Sequence, residues 1–489
     1  MTSVYTYIVR AFQLDLRALA LMRIAVALVS LVDLSIRFAD VDAFYLSSGI
    51  ANEELIRSFA APAFTHTLFF WYSSDAWVYF LFAVHACAAL FLLAGYYTQA
   101  ATFVCWLLLM SEHSRNPLIL QGGDDLLRLT LFWAMFLPWG KRYSKDAARY
   151  RYEQENTFTG LAAIAYVLQI MYVFFFSAML KGNEWHTDFS ALYFVYHLDQ
   201  IALPAASYLS QYPYLLKVLT AVAFYTELLT PFLFILPDRR NVFRTAGVIF
   251  YVLFHLWNGV TVYIGLFYCI GIATVLGCLP IQAMNFLEKY VPEKLAEVNG
   301  TRKPAIMHPY VKWTTDSVWL FLILYVCMWN GSNGNISSYK LTDQARIPGY
   351  KLRLDQSWGM FAPAVLKDDG WYIYEAVLYS GDTVDLNRQA QPVSYAKPEQ
   401  VVKLYRSDRW RKFGELYSLL PYAYIRMYLC KYVQQKWNNV HPENRVKRLR
   451  IIYMRETTLP DYRYSKPEPD VLYTCGEDLT QPRQVRNRK

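Results

Sequence analysis

Apolar residues gather in long runs before residue 331 and thin out after it. A helix needs about 20 mostly apolar residues to cross the hydrocarbon core of a bilayer. Nine runs approach that length: 18–36, 76–95, 100–112, 124–139, 158–180, 213–237, 242–258, 262–281 and 316–330, of which the third and fourth are short. The segment AFTHTLFFWYS (63–73) is too short to cross and reads as interfacial or as an extension of the second run. The stretch NGSNGNISS (330–338) is a polar, Gly-rich linker. Beyond it, strand-like runs such as WYIYEAVLYSG and LRIIYMRE surround one helical stretch at 413–437. The pattern predicts a polytopic α-helical membrane protein with a C-terminal extracytoplasmic α+β domain, divided into residues 1–330 and 331–489.

Basic residues set the direction, because short cytoplasmic loops carry Lys and Arg in excess. They collect at the N-terminus (Arg10, Arg17), in loop 140–157 (Lys141, Arg142, Lys145, Arg149, Arg151), around the link between the sixth and seventh runs (Arg239, Arg240, Arg244) and in loop 282–315 (Lys289, Lys294, Arg302, Lys303, Lys312). Loop 37–64 is acidic on balance, and loop 181–212 has Lys181 as its only Lys or Arg. Nine crossings from a cytoplasmic N-terminus put every basic loop inside and the C-terminal domain outside. The N-terminus has no cleavage site after a short apolar core, so the first run is expected to stay as an anchor.

Composition agrees. The chain is 55% hydrophobic, and many of its 40 Tyr and 14 Trp sit near the ends of runs, where amphipathic rings favour the interface. The net charge of +9 is spread over loops and tail, which argues against nucleic acid as a partner and for lipid. Of the 7 cysteines, Cys87, Cys105, Cys269, Cys278 and Cys327 lie in or beside apolar runs and read as small buried hydrophobes. Cys430 and Cys475 lie in the tail and are free to pair if it is outside the cell. The sequons at Asn299, Asn330 and Asn335 matter only on a eukaryotic secretory route.

Ionisable residues in or at the ends of spans are costly, so each is a functional candidate. Arg23 and Asp33 in the first run read as snorkelling or paired. Three clusters stand out. SEHSRNPLILQGGDDLLRL (111–129) brings together Glu112, His113, Arg115, Asp124, Asp125 and Arg128; Gly122 and Gly123 bend the chain, and the carboxylates equally suit a helix cap. SAMLKGNEWHTDFSALYFVYHLDQ (177–200) places Lys181 directly after an apolar run, near Trp185, His186, Asp188 and His197. A Lys held there is either partly desolvated, and then able to accept a proton, or snorkelling to the headgroups. FYVLFHLWNGVTVYIGLFYC (250–269) holds His255 and Asn258 on adjacent turns, where an interhelical hydrogen bond is the plainer reading. In the assigned orientation all three fall at the outer ends of their spans, which predicts one polar chamber open to the outside.

The strings EHSRNPLILQGGDDLLRLTLFWAMFLPWG, FFFSAMLKGNEWHTDFSALYF and FHLWNGVTVYIGLFYCIG resemble the HTTM family, the membrane domain shared by vitamin K-dependent gamma-carboxylase and many bacterial proteins. The resemblance covers about residues 10–285, and LDQSWGMFAPA, KPEQVVKLYRSDRWRKF and YLCKYVQQKWN resemble the outer domain of bacterial members. It implies a multi-pass protein of a bacterial plasma membrane. It also implies an enzyme that couples oxidation of reduced vitamin K, or another quinol, by oxygen to the addition of carbon dioxide to a Glu-type peptide or protein substrate. Carried over residue by residue, it makes Lys181 the base, His113 in Glu112-His113-Ser114 its helper, and His255 and Asn258 chamber-lining groups. Two departures are visible: the Lys181 stretch is one residue shorter before Trp185 than in the animal enzyme, and Glu112 replaces an Asn. Tyr172, Trp185, Tyr193 and Trp257 are placed to shield a reactive intermediate from water.

No Walker loop, GxGxxG, HExxH or GxSxG string occurs. A scaffold or maturation factor that binds a peptide or protein through the tail surface, around Arg409 and Trp410, is the alternative. A transporter ranks below it, because the sixth and eighth runs offer almost no charge for a continuous path.

Overall fold

The computed structural model describes residues 2–59, 67–150, 156–236, 240–290, 309–334, 336–460 and 463–477. Every one of the nine apolar runs is helical. In chain order the helices are α1 (Leu16–Ala39), α2 (Asp75–Ala94), α3 (Thr98–Arg115), α4 (Gly122–Ala134), α5 (Leu161–Leu180), α6 (Pro213–Leu233), α7 (Val242–Thr261), α8 (Phe267–Val275) and α9 (Pro309–Gly331). Among the described residues, α1, α2, α5 and α6 are long and apolar enough to cross a membrane. A bent pair, 267–278 with 281–290 at 105°, makes a fifth if counted as one span. Of 63–73, residues 63–66 lie outside the described residues, and Leu68–Phe70 form a single short turn.

Local chemistry sets the ends of these helices. The Asp15 carboxylate accepts from Arg17 N at the start of α1, and Ser74 Oγ accepts from Trp77 N at the start of α2. Gly95 ends α2 in the left-handed region, at φ 63°. Pro213 occupies the first turn of α6, where its missing N–H costs nothing. Arg23 donates to Leu92 O and Leu93 O at the end of α2, so it is paired inside the protein and does not snorkel. Cys105 and Cys278 are buried as expected, whereas Cys87 and Cys327 are exposed on the helix surface.

The tail forms a six-stranded antiparallel sheet built on β1 (Asp368–Leu378), β2 (Thr383–Asp385), β3 (Val446–Leu459) and β4 (Glu468–Gly476), with two-residue strands at its edges. β1 and β3 pair along their length, from Asp368 opposite Thr457 to Leu378 opposite Val446. Two helices, α10 (Asp408–Ser418) and α11 (Arg426–Val440), accompany the sheet. The expected helical stretch at 413–437 is therefore two helices, separated by the turn Leu420–Ile425. Cys430 of α11 and Cys475 of β4 form a disulfide, with Cα atoms 6.3 Å apart.

The chain does not leave the helices at residue 331. Leu341, Leu354 and Trp358 belong to the same buried core as α1, α5 and α9. Gln356 accepts from Gln169 of α5 at 2.8 Å, and its carbonyl accepts from the Trp329 indole at 3.0 Å. Asn330 is buried with its amide donating to Val326 O, so the middle sequon presents no accessible acceptor; Asn299 and Asn335 lie outside the described residues.

Candidate functional site

The segment 357–366 closes one side of a chamber of about 630 Å³ between the helices and the sheet domain. The chamber's end toward the helices is apolar, with Val173 and Phe174 of α5, Phe254 of α7, Phe267 of α8 and Trp358. Its end toward the sheet domain is polar, with Asp368, Asp369, Arg411, Lys412, Tyr453 and Arg455. The backbone is drawn tight around it. Gly182 N donates to Pro363 O at 2.7 Å, and a Cβ on Gly182 would lie 2.7 Å from that oxygen. Gly265, at φ 61°, carries the α7–α8 turn past Gln121 and Asp408, which leave no room for a side chain.

Ser177 of α5 and Glu227 of α6 also line the chamber, and both hold Lys181. The Lys181 ammonium donates to Ser177 Oγ at 3.1 Å and forms an ion pair with Glu227; Ser177 Oγ in turn donates to Glu227 at 3.1 Å. Lys181 lies 4.4 Å from the centre of the Trp185 ring, and the Trp185 indole is fixed by donating to Phe361 O at 2.9 Å. Lys181, Glu227 and Ser177 are all buried. The snorkelling alternative for Lys181 is thereby excluded: the side chain turns inward to a partner. The sequence reading missed that partner. Glu227 is the one carboxylate in the sixth apolar run, and an acid at such a position is itself the signal that should have singled it out.

The other predicted site residues are distributed differently. His255 is fully buried behind the chamber wall, stacked on Tyr251, Phe174 and Phe267. Its Nδ1 faces Tyr251 O at 2.9 Å, its Nε2 has no partner, and a Cβ on Gly271 would lie 2.1 Å from that nitrogen. Tyr172, Asn258 and Trp257 are not among the lining residues. Trp257 is exposed on α7, its indole donating to Tyr196 Oη at 3.0 Å. Tyr172 packs against Phe176 on its own helix. Tyr193 is buried and donates to Leu459 O at 2.7 Å.

His113 belongs to a second buried cluster. Its Nε2 lies 3.5 Å from Asp124 and 3.4 Å from the Arg37 guanidinium. Arg37 pairs with Asp33 at 2.7 Å and with Asp124, and lies 3.6 Å from Glu112. His85 faces Glu112 at 2.7 Å. Arg409, from α10 of the sheet domain, enters the cluster and pairs with Asp33 at 2.6 Å and Asp124 at 2.5 Å. Arg409 is therefore buried and not part of a tail surface. Asp124 also caps α4 by accepting from Gln121 N at 2.8 Å, so the capping reading and the charge reading of this hairpin both hold. Neither His113 nor any other of these charged groups lines the chamber.

At the chamber's mouth Asp369 is buried in β1 and accepts from Asp199 N. Burial, and then the nearby Asp199 carboxylate, push its carboxyl up to about 8. Ligand oxygens of Asp199, Asp369 and Glu456 converge within 4.8 Å, but Lys397 already pairs with Asp199 and Glu456.

No family model, curated protein or solved structure matches this chain.

Proposed function

We propose that the chain is a multi-pass membrane enzyme of the carboxylase-like HTTM type, with the chamber as its reaction site. The carrying observation is Lys181, buried with Glu227 and Ser177 at a cavity that is apolar inside and polar outside. In this reading a reduced quinone, vitamin K hydroquinone or another quinol, reaches the chamber from lipid. Its ring sits among Phe174, Phe254, Phe267 and Trp358, with a hydroxyl at the Lys181–Glu227 pair. The size of the cavity suits such a ligand, since small-molecule sites run to about 300–1,000 Å³. Bound there with oxygen, the quinol supplies the oxidative chemistry; the chain supplies the basic site, the Lys181–Glu227 pair, and a wall of aromatic rings that excludes water. Carbon dioxide and a Glu-type acceptor complete the reaction and enter from the polar mouth.

The same reading puts nine spans in a bacterial plasma membrane, with the N-terminus cytoplasmic and the sheet domain outside. The loop charges support that direction, and so does the Cys430–Cys475 disulfide, which persists in an oxidising compartment. The test is oxygen uptake by purified protein given a reduced short-chain naphthoquinone. Uptake by the wild type that Lys181→Ala abolishes is expected; uptake unchanged by Lys181→Ala removes Lys181 from the chemistry.

One observation favours the second reading, a scaffold that binds a peptide or protein outside the membrane. The outer domain carries its own cavity of about 360 Å³, lined by Tyr405, Trp410, Tyr432, Lys436 and Trp437 among others. That reading expects Trp410→Ala to abolish function and Lys181→Ala to spare it.

A further inference from the structure

The resting pair at the chamber floor has a consequence for where a proton goes. Glu227 lines the chamber and Lys181 does not; the ammonium lies behind, held by Glu227 and Ser177 and covered by Trp185. A buried Lys–Glu pair holds its charges as ammonium and carboxylate, because each compensates the other in a site with little water. An ammonium has three N–H donors and no acceptor site, whereas a carboxylate is acceptor-only. A hydroxyl entering the chamber therefore meets the Glu227 carboxylate.

We infer that Glu227 is the proton acceptor of the chamber and that Lys181 is the fixed cation that holds the anion it creates. This rests on the proposed reading of the chamber as a site of hydroxyl deprotonation. The step balances: the substrate O–H bond breaks, its proton forms a new O–H bond on Glu227, and the electron pair stays on the substrate oxygen. The negative charge moves from Glu227 to that oxygen, while Lys181 remains an ammonium behind Glu227, its charge acting on both. The ligand class is a lipid-soluble phenol or quinol, its ring between Phe174 and Phe267 and its hydroxyl toward α6. Lys181 is thus a positioning residue, and removing it raises the cost of the anion rather than removing the acceptor.

The experiment is proton counting with an acidic nitrophenol, whose phenolate absorbs visible light, in weakly buffered medium below its solution pKa. The full chain is used in lipid nanodiscs. In the wild type, binding is expected to produce the phenolate band with almost no proton released, because Glu227 keeps the proton. In Glu227→Gln the phenolate is still held by the charge of Lys181 behind the wall, and about one proton per bound phenol appears in solution. In Lys181→Met the phenolate band is lost. Full proton release by the wild type, absence of the band, or failure of the phenol to bind overturns the assignment. Glu227→Asp, which keeps the carboxylate, is expected to retain the phenolate band without proton release, and this separates loss of the acceptor from loss of the fold. Oxygen uptake with the naphthoquinol tests the functional reading separately: Glu227→Gln is expected to lower it by about 100-fold or more. A wild type that retains the proton of the phenol yet consumes no oxygen overturns the enzyme and leaves the acceptor standing.

Discussion

The molecule buries charge in two places, and they are built on different plans. The cluster of Asp33, Arg37, Glu112, Asp124 and Arg409 is closed: each charge faces an opposite one, and none lines the chamber. The Lys181–Glu227 pair is small and open, one member facing a cavity large enough for a ligand. A closed network gives rigidity and fixes how two parts meet, here the helices and the sheet domain through Arg409. An open pair leaves a group able to exchange a proton with whatever enters. Both clusters are costly in desolvation, so burial alone does not distinguish them. What a charge faces does.

The largest expected effect separates the two plans by stability. Arg409→Ala leaves Asp33 and Asp124 with Arg37 as their remaining guanidinium partner, and breaking a buried pair in this way costs about 3–5 kcal/mol. Thermal unfolding, with limited proteolysis at the sheet domain, is expected to show its release from the helices. A variant as stable as the wild type would mean that Arg409 is not what fixes the sheet domain. Lys181→Ala comes next and acts on chemistry: quinol-dependent oxygen uptake is expected to fall by about 100-fold or more, with the sheet domain still protected from protease. His113→Gln is smaller. It keeps a hydrogen-bonding side chain beside Asp124, so the expected change is a loss of stability of about 1–3 kcal/mol with oxygen uptake close to wild type.

The smallest effect lies at the chamber's mouth. An unperturbed Asp titrates near about 3.9, and Asp369 is held up to about 8 by burial and by Asp199. The fold binds this proton more tightly than the unfolded chain does. The stability it contributes is therefore complete below the unfolded value and is lost as pH rises through about 8. Asp369→Asn removes that dependence, so the variant is expected to gain on the wild type between pH 6 and pH 9 in melting experiments. Parallel melting curves across that range would show that Asp369 is ionised throughout.

Much of this contrast was legible in the sequence, and the remainder was not for physical reasons. The nine apolar runs gave nine helices, because segments of such apolarity have few alternatives to helix in or near lipid. The crowding of charge at 111–129 and the lone Lys181 after its apolar run were also visible. Glu227 was overlooked because its run read as almost without charge and its partner is 46 residues away in the chain. His113 was assigned to the chamber by its neighbours in sequence, whereas Arg409, far along the chain, decides what surrounds it. The domain boundary at 331 marked a real change in composition. The return of Leu354 and Trp358 to the helical core left no signal beyond two apolar residues in a polar stretch.

The central claim is that the open pair works and the closed network holds. It is tested most directly by oxygen uptake in nanodiscs containing wild type, Lys181→Ala or His113→Gln, each driven by the same reduced naphthoquinone. Uptake by the wild type that persists in His113→Gln and vanishes in Lys181→Ala is the predicted result. Equal rates in wild type and Lys181→Ala, or a loss in folded His113→Gln as deep as in Lys181→Ala, would contradict it.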